Sequence, residues 1–143
     1  MKKRLLDARL EPLIDAASAA RARAYAPYSR YAVGAAIETA SGNVFAGCNV
    51  ENASYGACLC AERNAVAQMV AAGESSLVAC AVVTGGPTPG APCGICRQVL
   101  SEFAKDLPIV LVAESPRGRT RKHTTLASLL PLAFRLESRS RRK

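Results

Sequence analysis

Apolar residues Leu6, Leu10, Leu13, Ile14 and Ala17 recur at three- to four-residue spacing, which predicts an amphipathic helix over residues 5–24, with Pro27 just past its end. Two apolar segments, residues 32–39 and 43–50, flank Ala40-Ser41-Gly42 and predict a β-hairpin. Residues 60–72 are alanine-rich and run to Gly73, a suitable helix-ending residue. Residues 78–84 and 109–113 are short, apolar and partly β-branched, the pattern of strands buried on both faces. Between them a Gly/Pro loop leads into residues 93–105, where Ile95, Val99, Leu100 and Phe103 have helical spacing. A strand, a helix and a second strand predict a parallel pair. Thr124 or Thr125 is placed to cap a last short helix through Leu130, ended by Pro131. The order helix, hairpin, helix, strand, helix, strand predicts an α/β fold, one mixed sheet with helices on both faces.

The chain has 143 residues, 50% apolar and 21% charged, which excludes collagen, coiled coil and wholesale disorder. A single domain over residues 1–134 with its own core is expected, followed by a basic disordered tail, residues 135–143. The formal net charge of +8 invites a nucleic-acid reading, but residues 10–113 carry six basic side chains against eight acidic ones. The excess lies in Lys2-Lys3-Arg4, between Arg117 and Lys122, and in the tail, so no specific nucleic-acid partner is expected. Residues 75–96 are uncharged but broken by Gly85-Gly86-Pro87 and Pro89-Gly90, and no membrane span is expected. The basic start is followed by Asp7, Arg9, Glu11 and Asp15 where a signal peptide needs an apolar stretch, so a cytoplasmic location is expected. Six cysteines in a reducing compartment direct attention to metal binding or catalysis rather than to disulfides.

Cys60-Ala61-Glu62 and Pro92-Cys93-Gly94-Ile95-Cys96 stand at the starts of the second and third predicted helices. Backbone N–H groups and the helix dipole favour thiolate there, the form that binds zinc. Three thiolates leave a tetrahedral zinc one open position, the mark of a catalytic rather than a structural site. Glu62, two residues from Cys60, is placed to act as general acid and base on a water at that position. Two other arrangements use the same thiols: a redox pair of Cys93 and Cys96, and a closed structural zinc site with Cys58 as fourth ligand. Neither requires Glu62 or the pair Asn49 and Glu51. Singly, Cys48, Cys58 and Cys80 read as small buried apolar side chains, Arg97 as a helix-surface charge, and His123 as an exposed residue of a basic loop.

These segments, with Pro27-Tyr28-Ser29-Arg30-Tyr31-Ala32-Val33-Gly34-Ala35-Ala36, Gly47-Cys48-Asn49-Val50-Glu51-Asn52-Ala53-Ser54-Tyr55 and Cys96-Arg97-Gln98-Val99-Leu100, resemble the small homotetrameric zinc-dependent cytidine deaminases, over most of residues 25–134. The resemblance implies a three-layer α/β/α fold with a mixed sheet of about five strands. It implies one Zn²⁺ per chain on Cys60, Cys93 and Cys96, Glu62 as the proton shuttle, and Arg63 as a donor to the ligand sulfurs. Asn49 and Glu51 would hold the ribose 3′-hydroxyl, the backbone at Ala61 and Ala91 the pyrimidine edge, and Tyr31 would lie beside the base where the family usually has phenylalanine. Ala53, Tyr55 and Phe134 match positions that neighbouring subunits contribute to substrate binding in a homotetramer. The activity implied is deamination of cytidine and 2′-deoxycytidine in pyrimidine salvage. Alternatives are a deaminase of a modified pyrimidine nucleoside such as a nucleoside antibiotic, a deaminase of a base within RNA or DNA, and a non-catalytic zinc module.

Overall fold

Alternation along two central strands sends successive side chains into two separate cores, and this is why their sequences are apolar throughout. The computed structural model describes residues 2–137, with side chains from Ala8 onward. Its elements are α1 (Lys2–Arg21), β1 (Val33–Thr39), β2 (Val44–Cys48), α2 (Ala61–Ala71), β3 (Leu77–Gly85), α3 (Gly94–Phe103), β4 (Pro108–Ser115), β5 (Gly118–Thr125) and α4 (Leu126–Leu129). The strands form one sheet in the order β2-β1-β3-β4-β5. Only β3 and β4 run parallel, and α3 is the crossover between them.

From β3 and β4, Ala79, Ala81, Val83, Val110 and Val112 pack with Leu10, Leu13, Ile14 and Ala17 of α1. Their neighbours Cys80, Val82, Ile109 and Leu111 face the opposite way, into a core shared with Ala65, Val66 and Met69 of α2, Leu100 of α3 and Leu126 of α4. The architecture is therefore the expected three-layer α/β/α arrangement. Small residues let the layers approach: a Cβ on Gly34 of β1 would lie 1.9 Å from the Ala17 carbonyl oxygen, and one on Gly47 of β2 would lie 2.7 Å from that of Ala61. Gly73 has φ +85 and ends α2, and Thr125 caps α4 in a reciprocal pair with Ser128.

The pattern contains no signal for β5. Its sequence GRTRKHTT is largely polar, and it is the sheet's edge opposite β2. Its charges answer those of α1: Arg119 pairs with Asp15 at 2.9 Å and Glu114 at 3.0 Å, and Arg121 pairs with Glu11. The basic segment between Arg117 and Lys122 is thus part of the sheet, and His123 lies exposed on a strand rather than in a loop. Ile95 also departs from expectation, standing 61% exposed while Cys96 and Leu100 supply the buried face of α3. Of the expected tail, residues 138–143 lie outside the described residues, and Arg135 is held by the chain, donating to the carbonyls of Ser101 (2.9 Å) and Lys105 (3.4 Å). Among the described residues no helix is long and apolar enough to cross a membrane.

Candidate active site

Cys60 and Cys93 are the N-cap residues of α2 and α3, in extended backbone conformations, and neither side chain bonds to its own helix end. Cys96 follows within the first turn of α3, buried. The three sulfurs lie within 4.8 Å of one another, and those of Cys60 and Cys93 are 3.7 Å apart. With Zn–S bonds of about 2.3 Å, two ligands of a tetrahedral zinc stand about 3.8 Å apart. The donor set therefore fits zinc, in both chemistry and spacing.

Glu62, 5% exposed, accepts a hydrogen bond from the Cys96 thiol at 3.4 Å. Burial, opposed in part by hydrogen bonds, raises its carboxyl above the ordinary range, the direction that favours a group required to hold and release a proton. The Cys60 thiol is pushed down to about 5, first by its hydrogen-bonding interaction with Cys96, with Cys93 and Arg63 also lowering it against burial. Cys96 is pushed up, first by its bond to Cys60 and then by burial. Arg63 reaches over this group: its Nη2 donates to the Cys58 carbonyl at 2.9 Å, and its guanidinium interacts with Cys60 and Cys96. Its buried Nε has no hydrogen-bond partner among the described residues, an unspent donor beside sulfurs that become anionic on metal binding.

Asn49 and Glu51 follow β2, where the chain is clamped on both sides. Tyr25 N–H donates to the Asn49 carbonyl, Glu51 N–H donates to the Tyr25 carbonyl, and Val50 exchanges both backbone bonds with Leu59. That clamp carries the pair to the segment immediately before Cys60. A cavity of about 250 Å³ collects Tyr31, Asn49, Glu51, Cys60, Ala61, Glu62, Ala91 and Cys93, all expected site residues, together with Val33, Val50, Cys58, Leu59, Val82 and Thr84. Hollows of about 330 and 460 Å³ lie elsewhere, and one of about 380 Å³ adjoins this cavity through Glu51 and Cys58; among the described residues none of the three brings together three metal-ligating side chains. Ala53, Tyr55 and Phe134 lie outside the cavity; Tyr55 and Phe134 are 85% and 67% exposed.

Cys58 is not with the three sulfurs. Half-buried rather than buried, it accepts from the Asn52 N–H at 3.3 Å and donates to the Asn52 carbonyl at 3.6 Å, which pins the loop after β2. Cys48 is likewise half-buried, whereas Cys80 is buried as expected. Arg97 is not a surface charge: it braces the approach to Cys93 through the carbonyls of Pro92 (2.7 Å) and Leu129 (2.8 Å). Thr84 was missed as a wall residue. Its signal is a polar residue near the C-terminal end of a strand that reads as parallel, where open α/β sheets place their ligands.

The profile of the cytidine and deoxycytidylate deaminase zinc-binding region matches residues 8–112. The chain is 42% identical over 132 residues to a cytidine deaminase of Sporosarcina psychrophila, covering 92% of this chain and 95% of that one. It is 43% identical over 127 residues to a cytidine deaminase of Mycobacterium tuberculosis, covering 89% and 90%. Among solved structures it resembles the cytidine deaminase of Burkholderia pseudomallei, with TM-score 0.80 and 51% identity over 86% of this chain and 97% of that one.

Proposed function

Because the chain belongs to the cytidine and deoxycytidylate deaminase family, we infer that its site removes the C4 amino group of cytidine by hydrolysis, giving uridine and ammonia. The observation that carries this reading is the meeting of three thiols and one buried carboxyl at a cavity that also contains Asn49 and Glu51. Cys60, Cys93 and Cys96 would hold a zinc ion, which when bound would supply the Lewis acidity that makes water a nucleophile at neutral pH. Glu62 takes a proton from the attacking water and delivers it to N3 as the C4–O bond forms. The water's second proton follows the same path to the amino group, the C–N bond breaks, and a C4 carbonyl remains. Arg63 offsets the excess negative charge of three thiolates around a divalent ion.

Asn49 and Glu51 take the ribose 3′-hydroxyl, an amide and a carboxylate together offering it both a donor and acceptors. The backbone at Ala61 and Ala91 meets the pyrimidine edge, and Tyr31 lies along the base. 2′-Deoxycytidine, which keeps the 3′-hydroxyl, is a second substrate. The exposure of Tyr55 and Phe134 supports a homotetramer in which neighbours supply them and Ala53 to each other's sites. The enzyme works in the cytoplasm on free nucleosides, from a catalytic domain spanning residues 1–134.

Purified protein is assayed for zinc and for ammonia release from cytidine, 2′-deoxycytidine, cytosine, adenosine, a cytidine-containing oligonucleotide and a cytosine-nucleoside antibiotic. One zinc per chain and turnover of the first two substrates is the expected result. Preference for the antibiotic would place the enzyme with modified nucleosides, and preference for the oligonucleotide would overturn the free-nucleoside reading. Glu62→Gln keeps the side chain's shape and removes its proton acceptor, so zinc is retained and kcat falls by at least about 10²-fold.

A further inference from the structure

We propose that Ser29 is a positioning residue for the ribose-facing carboxylate: its hydroxyl ties Glu51 to the backbone that carries Tyr31 into the cavity. The inference rests on the reading of Glu51 as a ribose contact. Glu51 is already engaged by the loop before β1. Tyr28 N–H donates to its Oε2 at 2.9 Å, Ser29 N–H lies 3.3 Å from both oxygens, and the Ser29 hydroxyl donates to Oε1. The same hydroxyl accepts from the Tyr31 N–H at 3.0 Å. A serine hydroxyl has one proton to give, so donating to Glu51 while accepting from Tyr31 fixes its rotation and joins the two residues.

The next links hold Tyr31 in turn. Arg30 has φ +58, the left-handed region that a residue other than glycine rarely adopts, and this turn brings the Tyr31 amide onto the Ser29 oxygen. Asn49 takes the other side of Tyr31, donating to its carbonyl at 2.8 Å and accepting from Val33 N–H at 2.8 Å. The Tyr31 hydroxyl closes against Gly90, where a Cβ would lie 2.7 Å from it. Both ribose-pair residues therefore brace the loop that carries Tyr31. Among the described residues, Ser29 joins the Glu51 carboxylate to the Tyr31 backbone through one side-chain atom. The Ser29 hydroxyl is also the foremost influence holding the Glu51 carboxyl below its ordinary range, which keeps it an acceptor for a hydroxyl.

Losing the Ser29 hydroxyl leaves the Tyr28 and Ser29 N–H bonds to Glu51 and the Asn49 bonds to Tyr31 and Val33, which keep the loop's path, while Glu51 Oε1 loses its hydroxyl donor and the Tyr31 N–H its acceptor. The test uses zinc-loaded Ser29→Ala, Ser29→Thr, Glu51→Ala and the double variant Ser29→Ala/Glu51→Ala, with cytidine and 3′-deoxycytidine as substrates. Ser29→Ala is expected to raise KM for cytidine about three- to tenfold, the scale of one hydrogen bond, with kcat within about twofold. Ser29→Thr restores KM, and in the Glu51→Ala background the Ser29 change adds less than about twofold. A full Ser29→Ala loss in that background, or an equal fall in kcat unrelieved by threonine, overturns the proposal. Equal penalties from Glu51→Ala on both nucleosides would instead overturn the ribose reading; a non-additive double variant would still uphold the coupling of Ser29 to Glu51.

Discussion

A cysteine's neighbours decide its role at this site. Cys58 and Cys60 are two residues apart, yet only Cys60 converges with Cys93 and Cys96, because as N-cap of α2 it faces the start of α3. Cys58 lines the same cavity, but its sulfur bonds to the Asn52 backbone and is not one of the three. Cys58→Ser is therefore expected to retain one zinc per chain and most activity, a hydroxyl being able to keep both backbone bonds. Cys93→Ser is expected to lose zinc and stability, since binding energy at such a site contributes directly to folding. Metal content by atomic absorption and thermal unfolding of the two variants check this. Zinc loss from Cys58→Ser would mean that four thiols, not three, define the metal site.

Elements place these residues through contacts of quite different kinds. The α1 and β3–β4 layers meet through alanine, valine and leucine, whereas α1 and β5 meet through ion pairs centred on Arg119. Glu114 of β4 belongs to that network, accepting from Ser18 at 2.7 Å and pairing with Arg21 at 3.4 Å and Arg119 at 3.0 Å. Burial works against its charged form, but the Ser18 hydroxyl, Arg119 and Arg21 outweigh it and lower its carboxyl below the ordinary 4.5. A group whose folded value is depressed contributes stability above its unfolded value and loses it as pH falls through the folded one. The stability difference between the native chain and Glu114→Gln should thus be present at pH 7 and shrink steadily below about pH 4.5. Urea unfolding at several pH values measures it; a difference independent of pH would show that the network contributes packing rather than charge.

For the whole molecule, the charge total misleads where its placement informs. Of the basic excess, Arg119 and Arg121 are paired within the fold, and Arg135 uses its guanidinium to tie the segment after α4 to α3 and the residues after it. A chain ending at residue 137 is expected to match the full chain in zinc content, thermal stability and kcat/KM. Arg135→Ala should lower stability by about 1–2 kcal/mol, having removed a charged donor from two carbonyls. Differential scanning calorimetry of both proteins decides it, and an unstable 137-residue chain would place a structural contact within residues 138–143. Oligonucleotide binding at two salt concentrations reports separately on what attraction the remaining basic residues exert.

The sequence by itself determined the layered α/β fold, the parallel pair and the helix starts at Cys60 and Cys93, and its likeness to a known family pointed to zinc. The elements are local, written in apolar periodicity, and the likeness rests on short motifs, Cys60-Ala61-Glu62 and Pro92-Cys93-Gly94-Ile95-Cys96 among them. Hydrophobic pattern could not reveal β5, because an edge strand gains its backbone bonds from β4 and satisfies its arginines on α1, and neither partner is visible within Gly118–Thr125. Nor could it separate Ile95 from Cys96, since helical spacing shows a stripe without saying which side of it meets the core. Only the tertiary structure decided that Arg97 is a brace, that Cys58 stands apart, and that Ser29 lies on Glu51. The meeting of Ser29 with Glu51 follows the bridge between Tyr25 and Val50, twenty-five residues apart, and the Arg97 brace joins Pro92 to Leu129, further apart still. Contacts so distant in the chain are specified by the packing of the whole, and no single segment carries them.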